Sequence, residues 1–324
     1  MCRPTFISIL FSGVACTLLL SAMGSICYGA DPKGVPPPSG KQWTMTFDDE
    51  FTEDRSIDTS KWNGGAGGTD WCRLIFQKFG KSGGDYMFRV GSDPCGQHYD
   101  GLTLTSTNGL EMRSPGFPSA AIQTGGTTVQ NAKFIQKFGY WEARFKVPHS
   151  TNGEGRGMHS DFWMHPIPEG VGSPTEWLPE IDVGERPTWD AKIESANNQI
   201  YFGIHDYGHD YGGNYGTSPL TDLSADWHTY GLYWRDDGSG PYGSMQFYLD
   251  GSPLGSPYTL RSSDTNMANG IYMFLSVDND QTGGRSTNPF LVQYLRVWRL
   301  DPSTGSSSSG SSSSEMHAEK GVSP

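Results

Sequence analysis

The sequence predicts an all-β protein, a jelly-roll sandwich of two antiparallel sheets. Three observations lead there. Apolar and polar residues alternate in steps of two across many short segments, and 43 glycines and 21 prolines punctuate the chain between them. No long segment carries the apolar periodicity of an amphipathic helix. Short strands at regular spacing, without interleaved helices, bury their apolar faces by packing as two sheets face to face.

At the N-terminus, Arg3 precedes an apolar run from Phe6 to Leu20 and then the small residues Ser21, Ala22, Gly24 and Ala30. This is the pattern of a cleaved secretory signal, and the run is too short and too interrupted for a good membrane span. Residues 1–30 are expected to be removed by a cut between Gly24 and Ala30. The mature protein is then secreted, extracellular or periplasmic, with no membrane attachment. Residues 31–40 (DPKGVPPPSG) are a Pro- and Gly-rich lead-in expected to pack no core. The folded domain is expected over 41–301, and residues 302–324 form a Ser/Gly-rich flexible tail.

Within the domain, Trp141, Ala143, Phe145 and Val147 alternate with Glu142, Arg144 and Lys146, the signature of a strand with one buried face. Met245, Phe247 and Leu249 share a face of the segment 244–251, where Asp250-Gly251 supplies a hairpin turn. Further strands are expected at 43–47, 86–90, 101–105, 109–113, 158–165, 199–205, 227–235, 271–277 and 290–299.

Of five cysteines, Cys2, Cys16 and Cys27 belong to the leader, which leaves Cys72 and Cys95. Two cysteines in an oxidising compartment are expected to pair. Closing that loop restrains the unfolded chain by about 3 kcal/mol in the chain-entropy picture. Loss of the leader removes Arg3 alone, so the mature chain carries 22 basic against 35 acidic side chains. Such an excess argues against nucleic acid, anionic lipid or a heavily sulfated polymer as partner.

The most informative stretch is EWLPEIDVGERP (176–187). Glu180 and Asp182 lie two apart and share one face of a strand, while Ile181 points to the other. Glu185 would fall on the wrong face of a regular strand. A β-bulge at Val183-Gly184 returns it to the side of the other two. Clustered carboxylates resist joint ionisation, a cost tolerated where chemistry uses it. Retaining glycoside hydrolysis needs an ionised carboxylate to attack the anomeric carbon and a protonated one to serve the leaving oxygen, about 5–5.5 Å apart. The residues suggest Glu180 as nucleophile, Glu185 as acid/base and Asp182 as the residue that hydrogen-bonds to the nucleophile. A solvated acidic edge strand is the alternative for the cluster taken alone.

The E-I-D-x-x-E pattern resembles the catalytic signature of glycoside hydrolase family 16, in the bulged form of its laminarinase-like, agarase-like and carrageenase-like branches. FDDEF (47–51), DTSKW (58–62), FGYWEARFKVP (138–148), DFWMHP (161–166), ADWHTYGLYW (225–234), FYLDG (247–251) and YLRVWRL (294–300) follow in the family's order. The resemblance spans roughly residues 43–300. It implies a concanavalin A-like jelly roll whose concave sheet forms the substrate cleft. Gly184 departs from the family pattern by standing where a bulky apolar residue is usual, and Arg186-Pro187 follows the acid/base position.

Sugar rings present apolar C–H faces on which aromatics stack. Trp163, Trp177 and, in a glycine-rich loop, Trp71 are candidates for such platforms, with a core role as the alternative. His205 falls where the resemblance places a histidine facing substrate. His205 and His209 are four apart, but the surrounding glycines suggest a loop and no metal pair. Hydrolysis of this kind requires no cofactor. A structural calcium, carried by several resembling proteins away from the cleft, is compatible with the chain, although no ligands are assignable. The expected function is a monomeric endo-hydrolase of β-1,3- or mixed β-1,3/1,4-glucan. The alternatives are a β-galactan hydrolase or a non-catalytic carbohydrate-binding jelly roll.

Overall fold

The computed structural model describes residues 31–51, 57–58, 60–64, 102–105, 109–112, 120–125, 129–149, 158–166, 179–186, 199–205, 211–216, 222–261, 265–279 and 288–303. Trp71, Cys72, Cys95, Trp177 and the expected strand at 86–90 lie outside these residues.

The described strands are β1 (Lys41–Asp49), β2 (Asn63–Gly64), β3 (Leu102–Thr105), β4 (Gly109–Met112), β5 (Ala120–Gln123), β6 (Gly139–Lys146), β7 (Met158–Pro166), β8 (Glu180–Glu185), β9 (Gln199–His205), β10 (Tyr211–Gly216), β11 (His228–Arg235), β12 (Ser244–Leu249), β13 (Ser252–Thr259), β14 (Ile271–Asn279) and β15 (Phe290–Pro302). They form two antiparallel sheets. One has eight strands in the order β13-β12-β11-β6-β15-β4-β3, with β1 also on β15; the other has seven in the order β10-β9-β8-β7-β14-β5-β2. Among the described residues the helical content is two short 3-10 turns.

Alternation fills the space between the sheets. From the eight-stranded sheet come Trp141, Ala143 and Phe145 of β6, Tyr230, Leu232 and Trp234 of β11, and Met245, Phe247 and Leu249 of β12. From the seven-stranded sheet come Phe162 and Met164 of β7, Ile181 and Val183 of β8, and Ile271, Met273, Leu275 and Val277 of β14. These side chains are buried in one contiguous cluster, the non-directional apolar burial that drives such a fold. The Asp250-Gly251 turn between β12 and β13 has φ of 49° and 79°, both positive as a tight two-residue hairpin requires.

Two segments differ from their sequence expectation, and a further strand had not been singled out. The Gly-rich stretch after His205, expected as a loop, includes the strand β10 along residues 211–216, paired with β9. SPLGSPYT forms β13 despite two prolines because it is an outer strand, where a missing N–H need not break a ladder. The lead-in is also more than a tether. Val35 is buried, its carbonyl accepts from Trp43 Nε1 at 2.8 Å, and the Lys33 amide donates to Glu142 Oε2 at 3.1 Å.

Beneath β8, Phe145 and Tyr230 stack at 3.8 Å and 6°. A Cβ on Gly184 would stand 2.8 Å from Phe145 Cζ and 3.0 Å from Tyr230 Cδ1. Glycine is therefore required there by volume. Gly184→Ala is expected to destabilise the fold by about 1–3 kcal/mol in urea titration, the usual cost of overpacking, and adding Phe145→Leu should recover part of that loss.

Candidate active site

The seven-stranded sheet turns one face to the core and the other away. On β8, Ile181 and Val183 join the core, so Glu180 and Asp182 alternate onto the opposite face. In the ladder with β9, Asp182 faces Gly203 and Glu185 faces Tyr201, so two residues of β8 span one residue of β9. On the other side Trp163 faces Asp182, while Phe162 faces Gly184. The extra residue is a β-bulge, and it brings Glu185 back to the face of Glu180 and Asp182.

Strand β7 adds residues to the same face. Asp161 lies opposite Glu185, and Trp163 and His165 follow at alternate positions. One carboxylate oxygen from each of Asp161, Asp182 and Glu185 lies within 4.8 Å of the other two. His205 Nε2 stands 3.2 Å from Asp182 Oδ2, with its ring stacked on Tyr201 at 5.8 Å. His165 Nε2 stands 3.8 Å from Glu180 Oε2, its ring packed edge-on against Trp163 and Phe274. Each histidine thus serves one acid of the β8 pair.

Trp163, a candidate platform by sequence, is 1% exposed. It stacks on Phe274 of β14 at 4.1 Å, and its Nε1 donates to Ser276 Oγ at 3.0 Å. The ring forms part of the floor beside Asp182 and offers no open face. Trp71 and Trp177 fall outside the described residues. His205 is partly exposed on the face that carries the acids.

Asp161 and His165 were not singled out by sequence. The signal was present in DFWMHP, where positions 161, 163 and 165 alternate with the core residues Phe162 and Met164. What the sequence lacked was the register that sets β7 beside β8. Burial pushes the Asp161 carboxyl well above the usual carboxylate range, and the nearby Asp182, Glu185 and Glu180 push it further.

Residues 84–277 match the family described as glycosyl hydrolases family 16. The chain belongs to this family. No curated protein matches it. Solved structures share the fold of this family 16 glycoside hydrolase. The catalytic domain of an endo-1,3-β-glucanase (laminarinase) from Thermotoga petrophila RKU-1 aligns at a TM-score of 0.53 and 21% identity, covering 80% of this chain and 98% of that one. An endo-1,3-β-glucanase from Streptomyces sioyaensis aligns at 0.55 and 20%, covering 83% and 99%. A GlcNAcα1-4Gal-releasing endo-β-galactosidase from Clostridium perfringens aligns at 0.55 and 17%, covering 85% and 66%.

In this family 16 hydrolase His205 touches Asp182 from the rim and carries little of the core. His205→Ala is expected to lower kcat/KM by about tenfold or more, because the imidazole 3.2 Å from Asp182 Oδ2 no longer restrains that acid. Its Tm should move by no more than about 2 °C, measured by differential scanning fluorimetry.

Proposed function

We propose that the protein is a secreted, monomeric, retaining endo-hydrolase of a β-linked polysaccharide, with β-1,3- or mixed β-1,3/1,4-glucan as its substrate. The observation that carries this reading is the bulge in β8, which sets Glu180, Asp182 and Glu185 on one face beside a second acidic strand position.

In this mechanism the Glu180 carboxylate attacks the anomeric carbon while Glu185 gives its proton to the departing glycosidic oxygen. The glycosyl-enzyme ester forms as the sugar bond breaks. Water then enters on the face that the leaving group vacated, Glu185 takes its proton, and the second displacement restores the original anomer. Asp182, between the two on the same face, steers the nucleophile, and His205 at 3.2 Å fixes the orientation of Asp182. His165, 3.8 Å from Glu180 Oε2, limits the rotamers from which Glu180 can attack. Nothing in these steps needs a cofactor. Trp177 and Trp71 serve the sugar as stacking platforms in this reading.

A β-galactan substrate is the second reading, favoured by the fold shared with the clostridial endo-β-galactosidase. It uses the same acids in a differently shaped cleft.

The test is release of reducing ends from laminarin, lichenan, agarose and carrageenan. Laminarin or lichenan should be cut with retention, seen by following the product anomer by NMR, and cleavage of agarose alone would transfer the protein to the galactan reading. Glu180→Gln should lose more than about a thousandfold in kcat while still binding glucan oligosaccharides. Undiminished turnover in that variant would remove Glu180 as nucleophile.

A further inference from the structure

Four acids share the site face, but the displacement chemistry assigns work to only three of them. The fourth, Asp161, is 5% exposed and lies opposite Glu185 across the β7–β8 ladder. Its Oδ1 is buried and has no hydrogen-bond partner among the described residues. The backbone amide of Phe162 donates to the carboxyl.

Among the described residues, charged groups approach Asp161 from one direction. From β8 they are Asp182, Glu185 and Glu180, all acidic. On β14 the opposite residue is Ser276, which is uncharged. On its own strand His165 lies four residues on and turns its Nε2 to Glu180. On β9, His205 reaches Asp182, and Tyr201 faces Glu185. An ionised Asp161 would be a buried charge facing other acids, the arrangement that costs most in a protein interior. A neutral carboxyl removes that cost and gains a donor, with one acceptor oxygen each of Asp182 and Glu185 inside 4.8 Å of a carboxyl oxygen of Asp161, a span that one water bridges.

We infer that Asp161 is a positioning residue that keeps its proton throughout the catalytic cycle and donates it as a hydrogen bond to the Asp182–Glu185 pair, holding the acid/base in place without adding charge beside it. This rests on the hydrolase reading of the same site. The proton never leaves Asp161, so the stoichiometry of hydrolysis is unchanged. Asp161 thereby lets the site carry one more carboxyl than its charge allows.

The test compares wild type, Asp161→Asn and Asp161→Ala. Asparagine is neutral at every pH and retains a donor, so it should keep kcat within about threefold, whereas alanine should lose about tenfold or more with KM little changed. The alkaline limb of kcat/KM should stay in place in Asp161→Asn. An ionised Asp161 would instead have been holding the proton on the neighbouring donor, and its removal would move that limb to lower pH by about one unit. Infrared difference spectra, wild type minus Asp161→Asn, should show the carbonyl band of a protonated carboxylic acid at the working pH.

A shifted limb, an absent band, or an alanine variant as fast as wild type would each overturn the inference. The infrared comparison needs no turnover. If wild type cleaves none of the glycans the hydrolase reading fails, while the spectra still decide where this proton resides.

Discussion

One extra residue in β8 is the constraint on which the site depends. Without it, Glu185 would point into the core with Ile181 and Val183, onto the stacked rings of Phe145 and Tyr230. With it, Val183 and Gly184 both face inward and Glu185 faces out. The inward position of Gly184 has room for a hydrogen and nothing larger, because the aromatic pair already fills the volume that a bulky apolar side chain would otherwise occupy. Arg186 secures the next step of the chain: its amide donates to Ser160 O at 2.8 Å, and its guanidinium donates to the Pro148 carbonyl. The departures at Gly184 and Arg186 thus belong to one solution, in which the kink is supported from below by rings and at its end by an arginine.

The electrostatic problem follows from the geometry. Setting four acids on one face costs free energy; His165 Nε2 stands 3.8 Å from Glu180 Oε2 and His205 Nε2 3.2 Å from Asp182 Oδ2 on that face. Glu142, on the eight-stranded sheet, shows how the same chain treats a buried acid with a structural task. Burial raises its affinity for a proton, yet one oxygen accepts from Tyr294 Oη at 2.8 Å and the other from the Lys33 amide at 3.1 Å. Donors supplied to both oxygens favour the charged form. Among the described residues Asp161 receives a backbone amide and faces Asp182, Glu185 and Glu180, so the two buried carboxyls have different surroundings.

Much of the sandwich was legible because side-chain alternation is a local property. The strands at 140–147, 199–205 and 227–235, and the Asp250-Gly251 turn, appear within a residue or so of their expected places. The bulge was legible because an acid five positions from another cannot share its face on a regular strand. Register was not legible. Asp161 and Glu185 are 24 positions apart in the chain, and only the pairing of β7 with β8 brings them opposite one another. The burial of Trp163 was hidden for the same reason: a tryptophan on the site face becomes a floor residue once Phe274 of β14 lies flat against it. The lead-in was misread because composition counts apolar residues, whereas Val35 and backbone groups of 33–35 suffice to dock it.

The outer face of the eight-stranded sheet carries its own aromatic cluster, in which Trp43, Tyr140, Tyr233, Tyr248 and Trp298 surround Val35. Trp43 meets Tyr233 at 5.4 Å and Tyr140 meets Tyr248 at 5.7 Å, both edge-on, a geometry that adds to simple burial. The sheet is therefore packed on both faces across β1, β6, β11, β12 and β15. Phe145 and Tyr230, which lie under the bulge, belong to β6 and β11, two of those doubly packed strands. The rings beneath Gly184 therefore stand on strands that are packed from both sides, the core cluster on one face and the Val35 cluster on the other.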